Sequence, residues 1–427
     1  MVDLNRPSQF GDVDSAHMLA RIVELPQQIR DAWAQGSALD LPAGHKGAAH
    51  IVICGMGGSA IGGDLTRVLA EAESRVPIVV VRGYELPAFV SKDSLVIMSS
   101  NAYAAALAAF AAHDADRLVA AAQKTFALSL EGLNGNVAPF LPAVHEIRPY
   151  TSQGRAAAAI LGHLDGSYLW DQSPQRALQD PLSFRTASHV FGVAQENVDA
   201  LRELLTIQLN SSDDNPASIP GIRPPVGASD QVRSYFVTTG RVQGAVIPTA
   251  NFEPLPWVVP LESLGIALSH VSRTSAARST RLGTPEFTHL SRFLAPDDVT
   301  LAYSAVQKVY AALDAENQEL NVPVSTNALP LAGDIEDTAT SSTAAAVRVL
   351  HIVDNLYYIT GLELMHAAQA VDLRRRDSPT IALGRGTREL LTSYREVVPF
   401  LDRDRALTPD VEASYRFLRQ LAPDERP

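Results

Sequence analysis

The chain has 427 residues, 46% hydrophobic and 19% charged, with 35 Lys and Arg against 47 Asp and Glu for a formal charge of −12. That length supports about two to four domains and a large core, and the acidic balance excludes the basic footprint of a nucleic acid binder. Cys54 is the one cysteine, so an internal disulfide is excluded and a thiol-held zinc is not expected; no HExxH pair or CxxC motif occurs, and no metal site is predicted.

The N-terminal stretch MVDLNRPSQFGDVD lacks the basic start and apolar core of a signal peptide. No apolar run reaches about 18 residues, so the expectation is a cytoplasmic protein with no membrane partner. Residues 15–35 carry two short amphipathic stretches around Pro26. IVIC at 51–54 is a short apolar run, which predicts a buried strand. Glycines 55, 57 and 58 then predict a turn, and Ser59 a cap for a helix running to about Ala72. PIVVVRG (77–83) and SLVIMS (94–99) read as two more strands, the start of a doubly wound α/β unit.

The pattern stops there. Helical signals dominate over 102–127, 155–164, 184–209, 258–280, 298–318 and about 336–370, and the charged tail 384–427 reads as helical. The segment 343–370 is apolar on most faces, which predicts burial in a bundle or an interface. Four polar loops separate the helices: NGNVAPFLP (134–142), NSSDDNPAS (210–218), PTANFEPLPW (248–257) and STNALPLAGDIED (325–337). Such residues make Asx-turns and caps, and four such loops at the ends of a rigid bundle also point to an organised ligand site.

Residues 1–98 resemble the sugar isomerase domain of bifunctional phosphoglucose/phosphomannose isomerases, on GMGGSAIGGDL (55–65), VPIVVVRGYELP (76–87) and SLVIMSS (94–100). The resemblance implies a phosphosugar ligand held by Gly57, Gly58 and Ser59, since glycines let the backbone approach an anion and a following helix offers free N–H groups. NAYA stands where that family has a second, SGNT-like phosphate turn, and no residue matches its catalytic base.

Residues from about 98 to 415 resemble the aromatic amino acid ammonia-lyase family, which includes histidine ammonia-lyase. The motifs, in order, are MSSNAYAAALAAF, LSLEGLNGNVAPF, RPYTSQGRAAAAI, LQDPLSFR, LNSSDDNPA, ANFEP, ENQELNVPVSTNALPLAGDIED and GLELMHAAQAVDLR. The two resemblances meet at Ser99-Ser100, so the chain looks like a chimera. They imply a mainly α fold, an elongated helical bundle of the ammonia-lyase type preceded by a truncated α/β segment with a short parallel sheet. The expected divisions are 1–98, a helical core over 99–383, and its helical extension over 384–427.

The lyase resemblance implies elimination of ammonia from an aromatic or histidine-like amino acid, in a homotetramer whose sites combine several subunits. It implies catalytic roles for Asn101, Gln179 and Glu336. It places Arg185 on the substrate carboxylate, with Phe252, Asn251 and Gln153 beside the substrate. The chemistry of the residues agrees: Arg185 offers a planar fork for a carboxylate, Gln179 and Asn101 both donate and accept, and Glu336 with Asp337 could hold an ammonium group. Taken alone, Arg185 reads equally as a salt-bridge residue, Gln179 and Asn101 as helix caps, and Phe252 as core.

Two departures stand out. Leu182 occupies the position of a motif tyrosine and cannot supply a proton. The family's electrophile, a methylidene-imidazolone, is made by cyclisation of an internal Ala-Ser-Gly, and that tripeptide occurs nowhere in the 427 residues. No external cofactor is expected, and the internal one is not expected to form. Three functions stay open: a lyase-like protein of reduced or unknown activity, a phosphosugar-binding or isomerase-like protein, and a helical scaffold without catalysis.

Overall fold

The computed structural model describes residues 27, 30, 31, 34, 36–38, 47–55, 57–71, 74–82, 86–91, 94–98, 101–239, 242–326 and 337–421. The chain divides into two compact units, 1–99 and 100–427.

In the first unit, β1 (His50–Cys54) runs into helix α1 (Gly57–Ala70), followed by β2 (Ile78–Val81) and β3 (Ser94–Met98). The strands form a parallel sheet in the order β2-β1-β3, with Ile51 opposite both Ile78 and Leu95. Val52 is fully buried in the central strand. Gly63 faces the sheet, where an added Cβ would come within 3.0 Å of Ile53.

The second unit is mainly α. Its long elements are α2 (Ala102–Leu133), α3 (Thr151–His163), α4 (Ala187–Leu209), α5 (Leu255–Leu282), α6 (Gln307–Leu320), α7 (Ser342–Asp377), α8 (Arg385–Arg395) and α9 (Thr408–Gln420). The alanine run of α2 favours helix by propensity and gives it a slim face: Ala104, Ala105, Ala108, Ala111, Ala112 and Ala115 are all buried. Helix α7 packs along it, close enough that a Cβ on Gly132 would meet Ala370 at 3.0 Å. Every residue of α7 from Ile359 to Val371 is buried, as its sequence pattern predicted. His366 packs there between Tyr303 and Tyr310 with Nδ1 2.7 Å from the Leu362 carbonyl, and burial pushes its imidazole down to about 4. Its neutral ring is a packing element.

Four helices and a loop are tied by one buried ion pair. Arg278 of α5 donates through Nε to Glu363 Oε1 of α7 at 2.6 Å and through Nη2 to Oε2 at 2.8 Å. Both side chains are essentially out of solvent, at 0% and 1% exposure. Ser129 of α2 and Ser275 of α5 donate to the same carboxylate at 2.7 and 2.5 Å. The remaining arginine nitrogen reaches the Ser183 carbonyl, and the guanidinium lies over Phe126 of α2 and Phe191 of α4. This register makes α2, α5 and α7 parallel: Asn101, Phe252 and Ser342 meet at their starts, and Ser129, Arg278 and Glu363 meet towards their ends. Helix α4 runs the opposite way, with Phe191 beside Phe126 and Arg202 paired to Asp116.

The end of α2 is closed with equal care. Asn134 takes the left-handed conformation (φ 61°), and the Gly135 N–H returns to the Leu130 carbonyl at 2.9 Å. The next orphan carbonyls are satisfied by side chains: Glu131 by the Tyr168 hydroxyl, Gly132 and Leu133 by Arg374. A second sheet, absent from the sequence expectations, links α4 to α5. Strands β4 (Ala217–Pro220), β5 (Phe236–Thr239) and β6 (Val242–Ile247) pair antiparallel in the order β4-β6-β5. Gly244 is required there, since a Cβ would sit 2.7 Å from the Ile219 carbonyl oxygen. The 298–318 helix signal resolves into a 3₁₀ turn (Ala302–Ser304) before α6. Among the described residues no helix is long and apolar enough to cross a membrane.

Removing one partner of a buried ion pair leaves an uncompensated charge. Glu363→Ala is expected to cost about 3–5 kcal/mol by urea denaturation, and the paired change Arg278→Met with Glu363→Leu to recover most of that loss. Equal losses in the single and double variants would contradict this role.

Candidate active site

The candidate residues fall into two groups at opposite ends of α2. That helix has 32 residues, about 48 Å at roughly 1.5 Å per residue.

At its start, Asn101 does not cap α2 with its side chain. Its amide donates to the Phe252 carbonyl, and its Oδ1 lies 3.5 Å from the Ser342 hydroxyl. Three helices begin around this point, so their positive dipole ends gather there. Phe252 is not core: it is 44% exposed, and Asn251 beside it is exposed too. Thr249 anchors this loop to the 210–216 loop, its N–H donating to Asn215 Oδ1 and its hydroxyl to the Asp214 carbonyl, both at 2.9 Å. Thr340, just ahead of α7, donates to Glu253 at 2.9 Å. Two of the four polar loops therefore meet here. Glu336 lies outside the described residues; Asp337 is within them.

At the other end, NGN (134–136) meets the 171–185 segment. Asn134 donates to Ser173 at 3.1 Å and accepts from Arg176 at 3.0 Å. The Asp180 carboxylate accepts from the Asn136 main chain and side chain. Burial pushes this carboxyl up, against the opposing pull of the Asn136 hydrogen bonds and of Arg176 and Arg185. Arg185, half-buried at the end of the Leu182–Arg185 turn, donates through Nε to the Asp180 carbonyl at 2.8 Å. No carboxylate among the described residues lies within 4.0 Å of it, and its two terminal nitrogens have no partner there. Among the described residues the salt-bridge alternative for Arg185 thus finds no partner. Gln179 and Leu182, in the same segment, are exposed.

Gln153 sits differently. It is 7% exposed, and its backbone lies under Gly192 of α4, where a Cβ would come 2.8 Å from it. It occupies a helix crossing. One chain therefore does not bring Asn101, Gln179, Arg185 and Phe252 into a single cavity; Asn134, Asn136 and Asp180, which sequence reasoning did not single out, hold the 173–180 segment whose Asp180 carbonyl receives Arg185. Their signal was the NGN string in a loop already marked as polar.

Gly57 and Gly58 open α1 at the C-terminal end of β1, and Ser59 follows in the same turn. The residues that come nearest to Ala-Ser-Gly do not fit the internal electrophile. Gly58-Ser59-Ala60 has the wrong order and lies in the first turn of that helix. Ala228-Ser229 is followed by Asp230, and Ser229 is spent as a cap, accepting from the Val232 N–H. Asp230 also brings a β-carbon where cyclisation needs an unhindered amide.

The family model for aromatic amino acid lyases matches residues 78–396, about three quarters of the chain. The chain belongs to the aromatic amino acid lyase family. The match starts ahead of the boundary expected near 98 and takes in β2 and β3. Histidine ammonia-lyase of Anaeromyxobacter dehalogenans is 31% identical over 340 residues, 79% of this chain and 62% of that protein. The Paracidovorax citrulli enzyme is 30% identical over 406 residues, 94% of this chain and 72% of its own length. Among solved structures, ergothionase from Treponema denticola, an ergothioneine-degrading enzyme, shares 38% identity with a TM-score of 0.67 over 76% of this chain and 60% of its own. Histidine ammonia-lyase from Trypanosoma cruzi, at 24% identity and a TM-score of 0.63, shows the shared fold. The chain spans about three fifths of the length of the first of these relatives.

A titration test bears on the Arg185 end. Glu131, fully buried on the last turn of α2, accepts from Ser167 and from the Gly384 N–H, yet burial raises its carboxyl above the ordinary 4.5. A carboxyl raised on folding contributes stability that is complete below the unfolded value and is lost as pH rises through the native one. Glu131→Gln, neutral throughout, is expected to gain stability relative to the native chain as pH rises from about 4.5 towards neutrality, read from paired thermal melts. A difference independent of pH would contradict the burial argument.

Proposed function

We propose that this chain recognises an aromatic or histidine-like amino acid by its carboxylate, as a member of the aromatic amino acid lyase family without the self-made electrophile. Arg185 carries the reading. Its Nε is held and, among the described residues, its terminal N–H groups meet no partner, which is the arrangement that offers a bidentate fork to a carboxylate. Gln179, exposed in the same segment, supplies a donor and an acceptor beside it.

The rest of the site comes from further copies of the chain. Phe252, Asn251 and Asn101 gather at the start of α2, whereas Arg185 follows Phe184, which packs on Phe126 towards its far end, so a site holding both groups is composite. This fits the homotetramer implied by the family, with a cytoplasmic location. The relatives act, by their names, on histidine and ergothioneine, and an imidazole-bearing or aromatic amino acid is the substrate class proposed here. The β-proton of such an acid is weakly acidic. With no fitting electrophile and Leu182 in place of a phenol, the residues present bind and orient a substrate and provide no electron sink for elimination.

The first unit favours a second reading, phosphosugar binding. Its order β2-β1-β3 makes the end of β1 a topological switch point, where doubly wound sheets bind ligands, and Gly57, Gly58 and Ser59 begin α1 there.

Intact-protein mass and calorimetry test the first reading together. The expected results are a mass without the loss of two waters, no ammonia release, and binding of trans-cinnamate that Arg185→Gln weakens by about tenfold or more. Ammonia release at a normal enzymatic rate, or cinnamate binding untouched by Arg185→Gln, would overturn it. Saturable binding of a hexose 6-phosphate, lost on Gly58→Asp, is the result the second reading requires.

A further inference from the structure

The groups that aim Arg185 are separate from those that would touch a ligand. The segment 178–185 runs over an open surface, with Leu178 97% and Leu182 63% exposed. Two of its side chains are buried, Phe184 and Asp180. Phe184 packs on Phe126, ring centres 6.1 Å apart. Asp180 is held by a single asparagine: one carboxylate oxygen takes the Asn136 N–H at 2.7 Å and the other takes the Asn136 amide at 3.1 Å. That amide also donates to the Ala177 carbonyl at 2.9 Å. Asn136 thus grips the strand of chain on both sides of Gln179. The Asp180 carbonyl then receives Arg185 Nε. Gly135 backs the carboxylate so closely that an added Cβ would stand 3.1 Å from Oδ2.

We propose that Asn136 and Asp180 are positioning residues: together they fix the carbonyl that orients the Arg185 guanidinium, and so set the preference of the site for a carboxylate over a neutral group. This rests on the reading that Arg185 binds a carboxylate. The physical basis is geometric, since a bidentate fork discriminates only when its plane is fixed. A loop that merely closed the surface would affect every ligand alike.

The test compares trans-cinnamate with trans-cinnamamide by calorimetry on the full chain. The native protein is expected to prefer the acid, and Arg185→Gln to lose that preference. Asn136→Ala and Asp180→Ala should each weaken acid binding by about tenfold while leaving amide binding unchanged, with Asp180→Asn, which keeps one acceptor, falling between. Should Asp180→Ala not fold, Asn136→Ala and Asp180→Asn carry the same comparison. The clasp is overturned if these variants keep the preference that Arg185→Gln loses, or if they weaken acid and amide equally. A native protein that does not prefer the acid overturns the reading of Arg185 itself, and the clasp with it.

Discussion

The ion pair between Arg278 and Glu363 fixes the register of the helical unit. A guanidinium and a carboxylate with no access to water must satisfy each other and every remaining donor and acceptor. Ser129, Ser275 and the Ser183 carbonyl do this only if α2, α5 and α7 lie side by side with their ends in step. Parallel alignment then has two results. The starts of three long helices gather around Asn101, and everything attached to the far end of α2 is carried a helix length away. The polar loops follow: 210–216 and 248–254 go to one end, 134–142 and 171–185 to the other.

That division explains what the sequence could and could not convey. The long helices were legible because alanine propensity and apolar periodicity are local: α2 and α7 exist where their patterns put them, though α2 runs on from 127 to Leu133, and α7 spans Ser342–Asp377 rather than about 336–370. Motif order is also local, and it listed Asn101, Gln179, Arg185 and Phe252 as members of one family site. It carried no information on which end of the bundle each occupies, since that depends on a pairing between residues 85 positions apart. Gln153 shows the same limit. Its motif marked it, but Gly192 brings α4 down onto its backbone and buries it. The β4-β6-β5 sheet escaped notice because its strands are short and mostly exposed, which leaves little apolar signal.

Arg185 is the reverse case. From sequence alone, a free cation and a salt-bridged one look identical. Only the geometry distinguishes them: Nε points to a backbone carbonyl, and among the described residues no acid stands opposite the fork. The residues that make this possible are a buried aspartate just after the exposed Gln179 and an asparagine just past a left-handed helix end. Both lie in quoted motifs, LQDPLSFR and LSLEGLNGNVAPF, but neither was assigned a role there. The gap left by the electrophile was visible in the sequence as a missing tripeptide, and the structure adds that the nearest substitutes are committed to helix starts.

The central claim is that the two groups form one site only between subunits. Co-expression of Arg185→Gln with Phe252→Ala tests it most directly, because each variant damages a different end of the chain. Each alone should bind trans-cinnamate about tenfold or more weakly than the native chain, and hybrid oligomers carrying both should regain native affinity at those sites that draw an intact Arg185 from one subunit and an intact Phe252 from another. Hybrids that bind no better than either variant, or a monomer that binds with the affinity of the assembled protein, would contradict it.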